Sequence, residues 1–219
     1  MSRGWRDPGS GPWSAVDPDA RYGPQVGLVI VDVQNDFADP AGSLYVRGGS
    51  AIVPRLNAEI KRALQAGAAV VYTQDWHPTH TPHFAGDGGI WPVHCVQGTW
   101  GAALHPRLSV RGPIVRKGAN GEDGYSGFSM RNPAGGEPIP TALDTTLTRG
   151  GATRIVVCGL ATDYCVKATA LDGARLGYEI AVLLDAVRAV ELQPGDGSRA
   201  LDELAGAGVV LVDDRTRAG

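Results

Sequence analysis

Reactive side chains are scarce in this sequence: 219 residues hold three cysteines and five histidines. Three cysteines is an odd, low count, which argues against a disulfide scaffold and for a reducing, cytoplasmic setting. No apolar run approaches the ~18–20 residues that a membrane-spanning helix needs, so no membrane partner is expected. The N-terminus is rich in Gly, Pro and Trp and has no apolar core, unlike a secretory signal. A formal net charge of −3 leaves no basic stripe, so nucleic acid is not an expected partner either. What remains is a chain long enough for one well-cored α/β domain.

Residues 1–24 carry four prolines and no periodicity, and read as a loose extension with Trp5 and Trp13 available to drape over the domain. From residue 25 to residue 219 the pattern is rhythmic. "VGLVIVDV" is a short continuous apolar run, as expected of a strand buried on both faces. "SAIVPRLNAEIKRALQAG" puts Val53, Leu56, Ile60, Ala63 and Leu64 on one helical face, with Ser50 as a cap and Gly67 as a stop. "AAVVYTQD", "PIVRKG", "TRIVVCGL", "EIAVLLDA" and "VVLV" read as further strands. "TALDTTLTRGG", "TDYCVKATALDGARLG" and "GSRALDELAGAG" read as helices. This alternation predicts right-handed βαβ crossovers. The expected fold is a single-domain three-layer α/β sandwich, a mostly parallel six-stranded sheet with helices on both faces, Rossmann-like. The irregular stretch from residue 77 to about 112 exceeds ordinary connection lengths, and such loops usually carry function.

Three of the five histidines lie in one short stretch, "TQDWHPTHTPHF" (Thr73 to Phe84). Pro78 and Pro82 exclude a helix there, so the stretch is a strand end running into a loop. On a strand Asp75 and His77 point the same way, and a carboxylate beside an imidazole begins a metal site. His94 in "WPVHCVQGT" and His83 are the candidates for further ligands. Mixed oxygen and nitrogen ligands leave positions open for water and fit zinc, iron(II) or manganese. His80 reads as an outward loop residue, and His105 as a surface or core residue.

Ligands in open parallel sheets bind beyond the carboxyl ends of the strands. Four such ends deliver Asp32, Asp75, Lys117 and, just inside the next helix, Cys165. In "GLATDYCV" the thiol would lie in a first helical turn, with Thr162 or Asp163 available to cap. A helix end of this kind lowers a thiol's pKa and offers free N–H groups to an oxyanion. Asp32, partly desolvated at its strand end, can serve as the base, and Lys117 as the balancing charge; a structural Asp32–Lys117 ion pair is an equal alternative. Cys158 reads as inert core, and Cys95 as packed core ahead of a metal neighbour.

Together "VDVQNDF", "TQDWHPTHTPHF", "WPVHCVQGT", "VRKGANGEDGYSGF" and "GLATDYCVKATALDGARLGY" resemble the nicotinamidases (pyrazinamidases), a metal-dependent branch of the isochorismatase-like cysteine hydrolases. The resemblance covers roughly residues 26–214. It implies Cys165 as nucleophile, Asp32 and Lys117 completing a triad, and the Ala161 N–H as an oxyanion donor after a cis Leu160–Ala161 peptide. It implies Asp75, His77 and His94 as metal ligands, with His83 a fourth ligand or a supporting partner. Phe37, Leu44, Trp91, Tyr125, Leu160 and Tyr164 would line the substrate pocket. The implied reaction converts nicotinamide to nicotinate and ammonia through a thioester, the cation seating the pyridine nitrogen, with pyrazinamide a further candidate substrate. A homo-oligomer, specifically a dimer, is the assembly to test. An amidohydrolase for carbamoyl or ureido substrates and a non-enzymatic metal-binding protein are the alternatives. "GANGEDGYSGF" departs from the family in being acidic ahead of Tyr125, so the pocket edge there is expected to differ.

Overall fold

The computed structural model describes residues 21–214, apart from 134 and 136. The expected draping of Trp5 and Trp13 lies outside those residues. Six strands form one parallel sheet: β1 (Val26–Val31), β2 (Ala69–Asp75), β3 (Ile114–Lys117), β6 (Arg154–Leu160), β7 (Glu179–Arg188) and β8 (Val210–Val212). Two short segments between them, β4 (Ser129–Met130) and β5 (Ile139–Pro140), pair as a separate antiparallel ribbon that hydrophobic periodicity does not signal. The helices are α1 (Asn35–Ala38), α2 (Val53–Gln65), α3 (Leu143–Arg149), α4 (Lys167–Arg175) and α5 (Asp196–Gly206). No helix among the described residues is long and apolar enough to cross a membrane.

The sheet order is β3-β2-β1-β6-β7-β8. The chain therefore winds one way from β1 and then the other way from β6, and the β1/β6 boundary is the point where the order reverses. Right-handed crossovers put α2 on one face and α3, α4 and α5 on the other. In keeping with this, α2 packs on β1, β2 and β7, and α4 packs on β6, β7 and its neighbour α5. Every residue of β1 is buried, and β2 and β6 are buried after their first residue, as continuous apolar runs under two helical layers require.

Two capping expectations fail. A 3-10 turn (Ser50–Ile52) leads into α2, and Ser50 makes no side-chain cap. A π turn (Thr162–Val166) leads into α4, and neither Thr162 nor Asp163 caps it. Asp163 instead accepts the N–H groups of Val190 and Glu191, both at 2.9 Å, and so fastens the loop after β7. Gly67 stops α2 as expected, with φ +74 just past its end.

The last residues of the N-terminal extension are held firmly. Arg21 and Tyr22 are buried and reach Glu59 on α2 at 2.9 and 2.6 Å. Arg21 also grips Asp214 at 2.7 and 2.8 Å, and Arg55 joins Glu59 to Asp185 on β7. Glu59 has no solvent exposure, so the segments at Arg21–Tyr22 and at Asp214 are tied to α2 through one buried network. Burial pushes that carboxyl up, but the Tyr22 hydrogen bond and the Arg55 and Arg21 charges outweigh it and hold it below the ordinary 4.5. A depressed carboxyl contributes its stability in full above its ordinary value and loses it as pH falls through the folded one. The wild-type protein should therefore weaken as pH falls below 4.5. Glu59→Gln, which takes one carboxylate from Arg21, Arg55 and Arg62 but leaves Arg21 paired with Asp214 and Arg55 with Asp185 and Asp214, should cost about 1–3 kcal/mol at neutral pH and flatten that acid limb. Urea unfolding of both proteins across pH checks this, and parallel curves would show that the clasp contributes nothing to the pH dependence.

Candidate active site

Four neighbouring strands, β3, β2, β1 and β6, end at one rim, which brings Lys117, Asp75, Asp32 and Cys165 together. Asp75 and Lys117 are direct register partners across β2 and β3. Asp32 follows β1 with φ +48, a left-handed conformation that aspartate tolerates better than most side chains. Lys117 Nζ lies 2.9 Å from Asp32 Oδ2 and 3.6 Å from Cys165 Sγ, and it also donates to Asp75 Oδ1. All four residues are buried. Just before the thiol the Leu160–Ala161 peptide is cis, as the resemblance implies. Gly159 makes that approach feasible: at φ +117, a Cβ there would sit 2.2 Å from the Val31 carbonyl oxygen.

The electrostatics separate the two carboxylates. Burial raises Asp32, and Lys117 only partly reverses this. Burial also works against ionised Asp75, but Lys117, His77 and His94 together hold it down at about 2. Burial would strip Lys117 of its proton, yet the two carboxylates outweigh that and keep it charged. The thiol departs from the sequence expectation. Burial pushes Cys165 well above its ordinary value, Lys117 opposes this, and the nearby Asp32 and Asp75 charges add to it. A helix end alone would lower a thiol, but one enclosed with two carboxylates keeps its proton at rest. It then needs a base, and Asp32 is the group beside it.

The long loop delivers the imidazoles. It is bridged to itself at His77↔Val96 and Phe84↔Trp91, and to the end of β1 at Gln34↔Leu104. His77, His83 and His94 are buried, with ring nitrogens within 4.8 Å of one another. Asp75 adjoins them, its Oδ2 lying 3.9 Å from His77 Nε2 while Oδ1 faces Lys117. One carboxylate thus touches both halves of the site. His94 Nδ1 lies 2.7 Å from the Pro92 carbonyl and His83 Nδ1 lies 2.7 Å from Asp123 Oδ1. Both partners only accept, so both Nδ1 atoms carry the proton and Nε2 is the lone pair left in each ring. Asp123, held by that His83 bond, stays ionised down to about 2. Burial lowers His77 to about 4 and lowers His94, which keeps both rings neutral. Neither nitrogen of His77 finds a hydrogen-bond partner, although the ring is buried. A buried, unpartnered imidazole beside two others and a carboxylate fits a divalent cation. Gly118, at φ +76, leaves room for that ring, since a Cβ there would lie 2.6 Å from His77 Nδ1.

Both halves open on one pocket of about 350 Å³, counting the space at its mouth. Asp75, His83, His94, Ala161 and Cys165 line it, together with all six expected wall residues, Phe37, Leu44, Trp91, Tyr125, Leu160 and Tyr164. Trp91 donates to the Tyr125 hydroxyl at 3.1 Å and meets Tyr164 edge-on, which fixes the aromatic wall. His80 points outward and His105 is buried away from the cluster. Cys158 and Cys95 have no exposure; the Cys95 N–H donates to Asp36 at 2.7 Å.

Sequence reasoning missed the groups that hold these residues in place. Thr73 donates to Asp32 Oδ1 at 2.6 Å. Gln34 clamps the Asp75 backbone from both sides, at 2.7 and 2.8 Å. Val46 and Val190 also line the pocket. Thr73, Gln34 and Asp36 all lie inside the motifs quoted above, but side-chain to backbone clamps leave no periodic signal.

A buried thiol beside an aspartate and a lysine, at the switch point of a parallel sheet, is a hydrolase-type site on an α/β fold. The chain belongs to the isochorismatase domain family, which matches residues 26–215. It is 38% identical over 206 residues to a nicotinamidase of Escherichia coli, covering 86% of this chain and 94% of that protein. It is likewise 38% identical to a nicotinamidase/pyrazinamidase of Mycobacterium tuberculosis, covering 84% of this chain and 97% of that protein. The crystal structure of a Pyrococcus horikoshii pyrazinamidase in complex with zinc superimposes with a TM-score of 0.77 at 38% identity, covering 86% of this chain and 99% of that one.

Of the three thiols only Cys165 faces the pocket. Iodoacetamide should therefore modify Cys165 alone in the native protein and all three cysteines after unfolding. Peptide mass spectrometry reads the outcome, and native labelling at Cys95 or Cys158 would contradict the burial described.

Proposed function

We infer that the protein is a nicotinamidase, a cysteine amidohydrolase that converts nicotinamide to nicotinate and ammonia, with pyrazinamide as a further substrate. The observation that carries this reading is the single pocket into which both the Cys165 thiol and the imidazole cluster open. A flat heteroaromatic amide has two features to recognise, a ring nitrogen and a carbonyl carbon, and the pocket offers one group of residues for each. A carbamoyl or ureido substrate would employ the triad and leave the three imidazoles without a task. A metal-binding protein would have no need of the thiol, lysine and aspartate beside them.

Asp75, His77, His94 and His83 would hold one divalent cation, for which zinc, iron(II) or manganese suits the ligand set. Bound there, the cation supplies a Lewis acid that takes a lone pair from the substrate ring. The aromatic walls Phe37, Trp91, Tyr125 and Tyr164 sandwich the ring and exclude bulk water. Asp32 accepts the thiol proton as sulfur bonds to the amide carbon. The backbone N–H groups of Ala161 and Cys165 receive the oxyanion. Asp32 returns its proton to the nitrogen, the C–N bond breaks, and ammonia leaves a thioester. Water then loses a proton to Asp32 and attacks the thioester, the C–S bond breaks, and the sulfur recovers the proton. Lys117 keeps its charge throughout and stabilises each anionic form of Asp32 and Cys165. The raised Asp32 suits a group that must both take and give a proton.

This assignment predicts that Cys165→Ala and Asp32→Asn each lower ammonia release from nicotinamide by at least about 10⁴-fold. Both variants should keep a cooperative thermal transition. Full activity in Cys165→Ala would rule out the covalent route. Stripping the protein with a chelator should abolish turnover, and adding back zinc, iron(II) or manganese should identify the ion that restores it.

A further inference from the structure

Two acidic residues, Glu122 and Asp123, set the segment before Tyr125 apart; Asp123 is the one that reaches the imidazole cluster, and no step above uses it. We propose that Asp123 is a positioning residue for the imidazole cluster: its carboxylate fixes His83 with the proton on Nδ1, so that Nε2 is the lone pair offered to the cation. The inference rests on the cation reading given above and adds to it the residue that makes His83 a ligand. Two of the three imidazoles have a hydrogen-bonded support, and the supports differ. His83 Nδ1 has a carboxylate at 2.7 Å, His94 Nδ1 has a backbone carbonyl at 2.7 Å, and His77 has no hydrogen-bond partner on either nitrogen. A bond from a ring N–H to an anionic acceptor is stronger than one to a neutral carbonyl, and it makes the opposite nitrogen a better donor to a metal.

Asp123 is itself well seated. Its backbone pairs with that of Arg131, its Oδ1 also accepts the Gly124 N–H at 2.7 Å, and its Oδ2 pairs with the exposed Arg131 guanidinium. Tyr125, two residues on, takes the Trp91 hydrogen bond, so the same short segment anchors the pocket wall and the third imidazole. The support for His94 is main chain and cannot be altered by substitution. The support for His83 is a side chain, which makes its contribution measurable.

The experiment uses the full chain, stripped of metal, with zinc as the probe in competition against a chromophoric chelator. Imidazole nitrogen NMR of the metal-free protein reads the His83 tautomer separately. Wild type should bind one zinc and show the proton on His83 Nδ1. Asp123→Ala should bind zinc about 10- to 100-fold more weakly and show a mixed tautomer. Asp123→Asn, whose amide oxygen still accepts but carries no charge, should keep the tautomer and fall between the two. Arg131→Met removes the exposed ion pair and spares the His83 bond, and should stay within about threefold of wild type. Wild-type affinity and an unchanged tautomer in Asp123→Ala would overturn the proposal. So would an equal loss in Arg131→Met, which would make Asp123 a loop staple and nothing more. If wild type itself takes up no zinc, the cation reading fails and this inference fails with it.

Discussion

One buried ammonium holds this site together. Lys117 is almost fully enclosed, yet it lies between two carboxylates and a thiol, and without it Asp32 and Asp75 would be like charges facing each other out of water. Such a cation is costly to bury alone and is retained only where its partners are fixed. Here β2–β3 register fixes Asp75, Thr73 fixes Asp32, and the turn after β6 fixes the sulfur. The same lysine divides the labour of the two acids. Asp75 is held down at about 2 and turns its second oxygen to the imidazoles, whereas burial raises Asp32 above its ordinary value. Two identical side chains are shifted in opposite directions by their surroundings alone.

The fold supplies that geometry through its order of strands. Because β1 is flanked by β2 and β6, the segments carrying Asp75 and Cys165, separated by 90 positions in sequence, approach the same rim from its two sides. The loop after β2 could not hold three imidazoles by its own stiffness. It is pinned by short bridges, by the Gln34 clamp on Asp75 and by the Asp36 carboxylate under Cys95. Pro78 and Pro82 keep it from coiling, and the cross-links give it a fixed shape. A preorganised site of this kind loses little entropy when substrate enters.

Where the structure departs from sequence expectation, the cause is burial or competition for hydrogen bonds. The Cys165 thiol was expected to be acidified by a helix end, but enclosure with two carboxylates outweighs that field. Thr162, Asp163 and Ser50 are residue types that favour caps, and none of them caps. A tight 3-10 or π turn precedes each helix, and Asp163 is claimed by the loop at Val190. Tyr22 and Arg21 belong compositionally to the loose N-terminal stretch. An Arg21 ion pair and a Tyr22 hydrogen bond to Glu59 hold them, and no local pattern encodes such tertiary contacts.

The sequence by itself determined the alternation of strands and helices, the single long loop, and the placing of Asp32, Asp75, Lys117 and Cys165 at or just past four strand ends. Those features are local: apolar period, proline and glycine placement, and residue type are written one segment at a time. Only the tertiary structure decided that Lys117 bridges both aspartates, that the thiol rests protonated, and that Asp123 stands behind His83. Each of those depends on distances and desolvation between segments far apart in the chain, and a charge's behaviour is set by what surrounds it in space.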